Sequence, residues 1–236
     1  MPLPRTAEPL SLARLALGAL VQPAFFVILL FGPAPTWAWW RAWVLIAMSL
    51  LATVVSLVVL ARDNPVLLAE RFKPPIQRDQ PCADKLAVLV FVAAFVGALL
   101  FIPFDVFEWR LVAPPGAPVA AIGLAAFLTG WWILQSALRV NAFAVPVVKR
   151  QAERRQHAVD SGPYAVVRHP MYAGIALVLL GAPLWLGSSA GAVVALVPIA
   201  ALGVRIGIEE RFLRRELPGY AAYAARVRHR LIPGLW

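Results

Sequence analysis

The chain has 236 residues and a single cysteine, Cys82. An internal disulfide is therefore excluded, as is a metal site built on several thiolates, and one thiol says nothing about redox compartment. Histidine is almost as scarce, with only His157, His169 and His229. Charge is sparse too: 14% of residues are charged, against roughly 25% in a soluble globular domain. Acids are the scarcer sign, 12 against 22 Lys and Arg, for a net charge of +10. No internal repeat, low-complexity segment or separate polar domain interrupts the chain. What fills it is apolar: 61% of residues are hydrophobic and the mean hydropathy is +0.75. That composition excludes an ordinary soluble domain and points to an integral membrane protein.

A helix needs about 20 mostly apolar residues to cross the hydrocarbon core. Four runs meet this, at about 12–32, 38–61, 86–104 and 117–138. The first is too long for the apolar core of a signal peptide and no small-residue cleavage pattern follows it, so it reads as a retained first helix. Two shorter runs, about 171–186 and 191–208, flank Gly187-Ser188-Ser189-Ala190-Gly191. They read as a tight hairpin whose arms Pro183 and Pro198 bend and which crosses only marginally. The expected fold class is all-α: a polytopic membrane bundle of five to six transmembrane helices ending in a helical hairpin.

Lys and Arg sort themselves along these runs. From the N-terminus, successive polar segments carry 2, 1, 5, 1, 6, 0 and 7. The alternation places both termini and segments 62–85 and 139–170 in the cytoplasm by the positive-inside rule. Trp37, Trp39, Trp40, Trp43, Trp109 and Trp185 then gather towards the outer interface. The basic excess is thus mostly a topology signal. No basic–aromatic module of a nucleic-acid binder is present, so nucleic acid is not an expected partner. The histidines and most polar groups fall in cytoplasmic segments, so a site should open there.

Three stretches carry candidate chemistry. In "SGPYAVVRHPMYAG", residues 161–174, Pro170 holds His169 out of the helical region and suits the first turn of a helix. The free N–H groups of that turn, with Arg168, His169 and Tyr172 around them, would suit a carboxylate or phosphate. The plain alternative is a turn with a snorkelling Arg168 and Tyr172 as an interface anchor. In "VRIGIEERFL", 204–213, Arg205 and Glu209 are i, i+4 and can pair on one helix face. Charges at membrane depth are functional suspects, whereas Glu210 and Arg211 read as surface charge. In "YAAYAARVRHRLIPGLW", 220–236, Tyr220 and Tyr223 are i, i+3. The alternating Arg226, Arg228 and Arg230 fit an extended exit, or a segment binding anionic lipid headgroups.

In this order and spacing, the three stretches resemble the isoprenylcysteine carboxyl methyltransferase family over roughly residues 140–236. "NPVLLAERFKP", near 64–74, is similar to an upstream loop of bacterial members. Related patterns occur in phospholipid N-methyltransferases and, more loosely, in membrane sterol reductases. The resemblance implies one domain over 1–236, with N-terminal transmembrane helices in 1–138 and a cofactor-binding catalytic half in 139–236. It implies S-adenosylmethionine (SAM) as methyl donor in a cytoplasmic pocket. Gln156, His157, Ala158 and Val159 would line that pocket and Tyr164 would pack on the cofactor. His169, Pro170, Met171 and Tyr172 would flank its amino-acid end and ribose. Glu209 would hold its ammonium group, and Arg205 the carboxylate of a lipophilic acceptor. Pro218-Gly219 departs from the Phe-Gly pair usual there. No metal is implied.

The chemistry of the residues agrees. A carboxylate acceptor is ionised at neutral pH and needs no general base, whereas an amine must first lose a proton. Apart from Glu209 and Glu210 no isolated buried acid presents itself, which tilts the reading towards O-methylation. Two other classes remain open. An NADPH-dependent reductase would have to hold a phosphate beside Glu209 and Glu210, and acids repel it. A non-enzymatic scaffold or carrier would need a polar stripe, which the first three runs nearly lack. The topology gives the first prediction. A membrane-impermeant maleimide should leave Cys82 unlabelled in intact cells and label it after permeabilisation; labelling of intact cells would reverse the orientation.

Overall fold

The computed structural model describes residues 11–236 except 75, 78, 79, 150 and 155, and leaves the side chains of Leu12 and Ala152 undescribed. Residues 1–10, Arg78, Arg150 and Arg155, which enter the charge tally above, lie outside the described residues. The architecture is all-α, with no strand among the described residues. Helix α1 (Leu12–Phe31) starts where Ser11 Oγ accepts the Arg14 N–H. Helix α2 (Trp40–Asp63) runs back, and Asn64 then caps the short α3 (Pro65–Arg71) by accepting the Leu67 N–H at 3.0 Å. Helix α4 (Cys82–Phe104) continues as one wide π turn, Asp105–Trp109, which ends at Arg110 in the left-handed region. Helix α5 (Ala117–Val140) follows. Five segments are long and apolar enough to cross a membrane.

The hairpin differs from its expected form. Helix α6 (Pro170–Leu186) does begin at Pro170 and stops at Gly187, whose φ of 100° only glycine adopts at little cost. Its 17 residues reach about 25 Å at 1.5 Å per residue, short of the hydrocarbon core. The helix resumes at 189 rather than 191, because Ser188 Oγ accepts the Gly191 N–H at 2.8 Å and caps α7 (Ser189–Val194). A break at Ala195 precedes α8 (Leu196–Glu216). Pro198 explains it, since proline offers no N–H to the carbonyl four residues earlier. Together α7 and α8 form a 28-residue apolar segment, long enough to cross. The chain ends in α9 (Tyr220–Arg226), a short extended stretch and a terminal turn in which the Arg230, Leu231 and Ile232 N–H groups donate to the Trp236 carbonyl.

Helix α5 lies against α6 through glycines spaced seven apart on each helix. Gly123 faces Gly181 and Gly130 faces Gly174. A Cβ on Gly174 would sit 2.6 Å from the Gly130 carbonyl oxygen, and one on Gly123 would sit 2.9 Å from that of Gly181. Close backbone contact is how helices associate where lipid supplies no hydrophobic drive. The few polar side chains within α1, α2 and α5 also bind one another: Thr53 to Gln22, and Gln135 to Ser56. A core of Leu30, Leu45, Phe127 and Leu186 fills the bundle. Leu17, Ile28 and Trp132 point outward, each more than 60% exposed, as lipid-facing residues do.

Trp37, Trp39, Trp40 and Trp185 mark one end. Phe31 stacks on Trp37, Trp40 meets Trp185 edge-on at 5.3 Å, and Trp39 meets Phe107. Arg41 lies over Trp40 and Trp185, with its guanidinium 5.6 Å from each ring. The opposite end gathers the C-terminus of α5, the start of α6 and the end of α8. The glycine contact predicts that Gly174→Leu lowers stability in detergent by about 1–3 kcal/mol through overpacking. Gly97→Ala, whose Cβ would meet nothing within 4 Å, should leave it unchanged or slightly raised. Thermal unfolding of both variants checks this, and equal melting temperatures would contradict it.

Candidate active site

The segment between α5 and α6 is mostly loop, with 3₁₀ turns at Ala152–Arg154 and Gly162–Ala165. It folds under the bundle and, with the end of α8, α9 and the end of α3, encloses a cavity of about 220 Å³. Gln156, His157, Ala158 and Val159 line it. So do Tyr164, His169, Met171 and Tyr172, and from α8 Arg205 and Glu209. Pro170 does not: it is fully buried at the head of α6, behind the wall.

Glu210 corrects the sequence reading. It is not surface charge but 3% exposed, at the centre of an ion cluster. Its Oε1 accepts Arg168 Nε at 2.6 Å and lies 3.3 Å from His169 Nε2. Its Oε2 accepts Arg230 Nε at 3.0 Å. The positive groups expected to receive a ligand anion at the head of α6 are thus turned onto a protein carboxylate. Arg168 also spends Nη1 on the Val227 and Arg228 carbonyls, at 2.7 and 2.8 Å. The backbone N–H groups of Arg168 and His169 donate to the His229 and Arg230 carbonyls, both at 2.9 Å. The tail is therefore an extended strap across the head of α6. This is the extended exit that the alternating arginines suggested.

Arg205 and Glu209 share a helix face but do not ion-pair. Arg205 Nε donates to Asp84 Oδ1 at 3.0 Å, and Nη2 donates to the Pro146 carbonyl. Asp84, in the first turn of α4, is completely buried; it also takes Gln80 Nε2 at 2.6 Å and the Val148 N–H at 3.0 Å. This acid was missing from the sequence reading, which found no buried carboxylate outside Glu209 and Glu210. The signal available was a lone acid opening an apolar run. Glu209 Oε2 accepts the Tyr172 hydroxyl at 2.6 Å. The Arg205 guanidinium lies 5.9 Å from the Tyr172 ring.

Aromatic groups complete the wall. Phe143 meets His157 edge-on at 5.1 Å. Tyr223 donates its hydroxyl to the Tyr164 carbonyl at 2.8 Å. Burial pushes the Tyr164 and Tyr220 phenols above their usual range and Tyr223 up to about 12, so all three are protonated donors at neutral pH. Tyr220, on the cavity wall, has a buried hydroxyl with no hydrogen-bond partner among the described residues. A buried donor left unmade is costly. Tyr220, Tyr223, Phe143, Asn141 and Arg71 line the cavity without having been assigned to it from sequence. Among the described residues no three His, Cys, Asp or Glu side chains gather as metal ligands.

These features define a polytopic helical membrane protein with a polar, tyrosine-walled cavity at one end of its bundle. Residues 119–218 match the family model of phospholipid methyltransferases, a family grouped with the isoprenylcysteine-type membrane methyltransferases. The match runs from the start of α5 past the end of α8, so it contains Tyr164, Arg205, Glu209 and Glu210; it covers less than half of the chain. It points to a membrane methyltransferase. No curated protein matches the chain.

The ion cluster carries a prediction. Glu210→Gln should strand buried Arg168 and lower stability by about 3–5 kcal/mol, whereas Glu209→Gln, with only a tyrosine on it, should cost much less. Thermal unfolding of the two variants side by side checks this. An equal, small loss for both would show that the cluster is not what holds the tail.

Proposed function

We propose that the protein is an integral membrane methyltransferase that binds SAM in this cavity and methylates a lipophilic acceptor. The observation that carries the reading is the match over residues 119–218 falling on a cavity whose unspent polar groups suit SAM. Glu209 is the only carboxylate on the cavity wall among the described residues, and it suits an ammonium group. The Tyr220 hydroxyl has no hydrogen-bond partner among the described residues. The rings of Tyr164, Tyr172 and Phe143 suit a positively charged sulfonium. SAM supplies a methyl on a cationic sulfur: the acceptor's lone pair forms the new bond as the carbon–sulfur pair returns to sulfur. The protein's own work is to position and to exclude water. Tyr172 holds Glu209, and the Glu210 cluster holds the tail against the head of α6. The segments lining it carry the highest Lys/Arg counts, so the site faces the cytoplasm with both termini on that side.

The acceptor head of the isoprenylcysteine-like reading is a carboxylate at Arg205, which needs no base. A second reading, a phospholipid amine, is favoured by the family match and by Asp84, which already neutralises Arg205 at 3.0 Å. Calorimetry on the detergent-purified protein should show binding of SAM or S-adenosylhomocysteine and none of NADPH. Glu209→Gln should weaken it by roughly 1.5–3 kcal/mol, tenfold to a hundredfold. Unchanged affinity would remove Glu209 from the donor pocket. Methyl transfer from labelled SAM to a prenylated cysteine or to phosphatidylethanolamine distinguishes the two heads. With the first acceptor, Arg205→Ala should abolish turnover while leaving SAM affinity nearly intact; a large loss of SAM affinity would sink the acceptor role.

A further inference from the structure

Among the described residues, five charged side chains line the cavity: Arg71, Lys149, Arg168, Arg205 and Glu209. Three are matched by protein carboxylates. Lys149 meets Glu70 at 2.9 Å, Arg168 meets Glu210 and Arg205 meets Asp84. The other two, one cation and one anion, have no oppositely charged side chain within 4 Å among the described residues. Glu209 has the Tyr172 hydroxyl. Arg71 has the Ala144 carbonyl, which accepts Nη1 at 2.9 Å. A carbonyl supplies a dipole, not a countercharge.

Arg71 is held in place. It ends α3, whose Leu67 and Leu68 are buried in a cluster with Leu60 and Leu138. Burial lowers its guanidinium below the ordinary value, and Tyr164 lies within electrostatic reach of it. Tyr164 also lies within electrostatic reach of Glu209. Arg71 and Glu209 are thus both close to Tyr164, and both line the same cavity. A cation and an anion that make no ion pair with the described residues, in one small cavity, are complementary to a ligand that carries both charges.

We propose that Arg71 and Glu209 form a dipolar clamp for a zwitterion, Arg71 taking its carboxylate or phosphate oxygens and Glu209 its cationic nitrogen. The ligand's identity rests on the methyl-transfer reading, which offers two zwitterions: the amino-acid end of the donor and the phosphate–amine head of a phospholipid acceptor. Arg71 brings the N-terminal half of the chain, outside the matched segment, into the site. Its planar fork suits either oxyanion.

The test is calorimetry on full-length protein in detergent, wild type against Arg71→Gln and Arg71→Lys, with melting temperatures confirming that each variant is folded. The probes come in pairs. S-adenosylhomocysteine is compared with its decarboxylated analogue, and dihexanoylphosphatidylethanolamine with dihexanoylglycerol. Arg71→Gln should weaken one charged probe by roughly tenfold or more and spare its partner lacking the oxyanion, with Arg71→Lys in between. A loss confined to S-adenosylhomocysteine assigns the donor's carboxylate; one confined to the phospholipid assigns the phosphate. Equal affinities of wild type and Arg71→Gln for both overturn the clamp while leaving the methyltransferase reading intact. Phosphoethanolamine, a bare zwitterion, tests the clamp without donor or acceptor. Binding that is lost in Arg71→Gln upholds it even if S-adenosylhomocysteine does not bind. A wild type that binds none of these probes overturns it.

Discussion

The site depends on one buried carboxylate. Glu210 gathers Arg168 and His169 from the head of α6 and Arg230 from the tail, at 2.6, 3.3 and 3.0 Å. A charge so placed is tolerated only with its partners in position, because the desolvation of each ion is recovered only from the others. The cluster is thus a geometric constraint more than a source of net stability. It fixes where the tail crosses α6, and through the carbonyls of Val227 and Arg228 it fixes the exit of α9. Tyr220 and Tyr223 on α9 then face the cavity. The cluster thus works with the Tyr223–Tyr164 hydrogen bond to hold the wall they form.

The bundle supplies the second constraint. The glycine contacts draw α5 and α6 to backbone distance, and α6 is too short to cross with its partner. Asp84 and Arg205 tie the start of α4 to α8 and to the loop at 146–148. Charged groups from α3, α4 and α8 are thereby brought to one level. This is the usual place for ionisable groups in a membrane protein, at a water-accessible cavity rather than against lipid.

Charge bookkeeping decides what that cavity suits. Three of its cations are neutralised by the protein itself, so it is not a general anion sink despite the chain's net charge of +10. What is left is one arginine, one glutamate and a ring of protonated tyrosines. Under the proposed function, a donor bearing a sulfonium, an ammonium and a carboxylate would find a complementary group for each of its charges there. The phosphate-rich alternative, a dinucleotide, would find a single unmatched cation.

Much of this was legible along the chain. Hydropathy and charge alternation are local properties, so the apolar runs, the start of α6 at Pro170 and the extended exit after α9 follow from sequence. The resemblance of the motifs to a methyltransferase family also implied that Tyr164, Tyr172, Arg205 and Glu209 share one pocket. Other features were not legible, because they depend on partners distant in sequence. Glu209 and Glu210 are neighbours of identical chemistry, yet a helix turns successive residues by about 100°, so one faces the cavity and the other the tail. Asp84 sits 121 positions from the arginine it neutralises, and Arg71 reaches the cavity only because α3 packs beneath α2 and α5. The sequence by itself determined a membrane-spanning helical bundle with its polar chemistry at one end, since burial in lipid is read residue by residue. Only the tertiary structure decided which charges are spent and which remain for a ligand, since pairing is a property of distances the chain reveals only when folded.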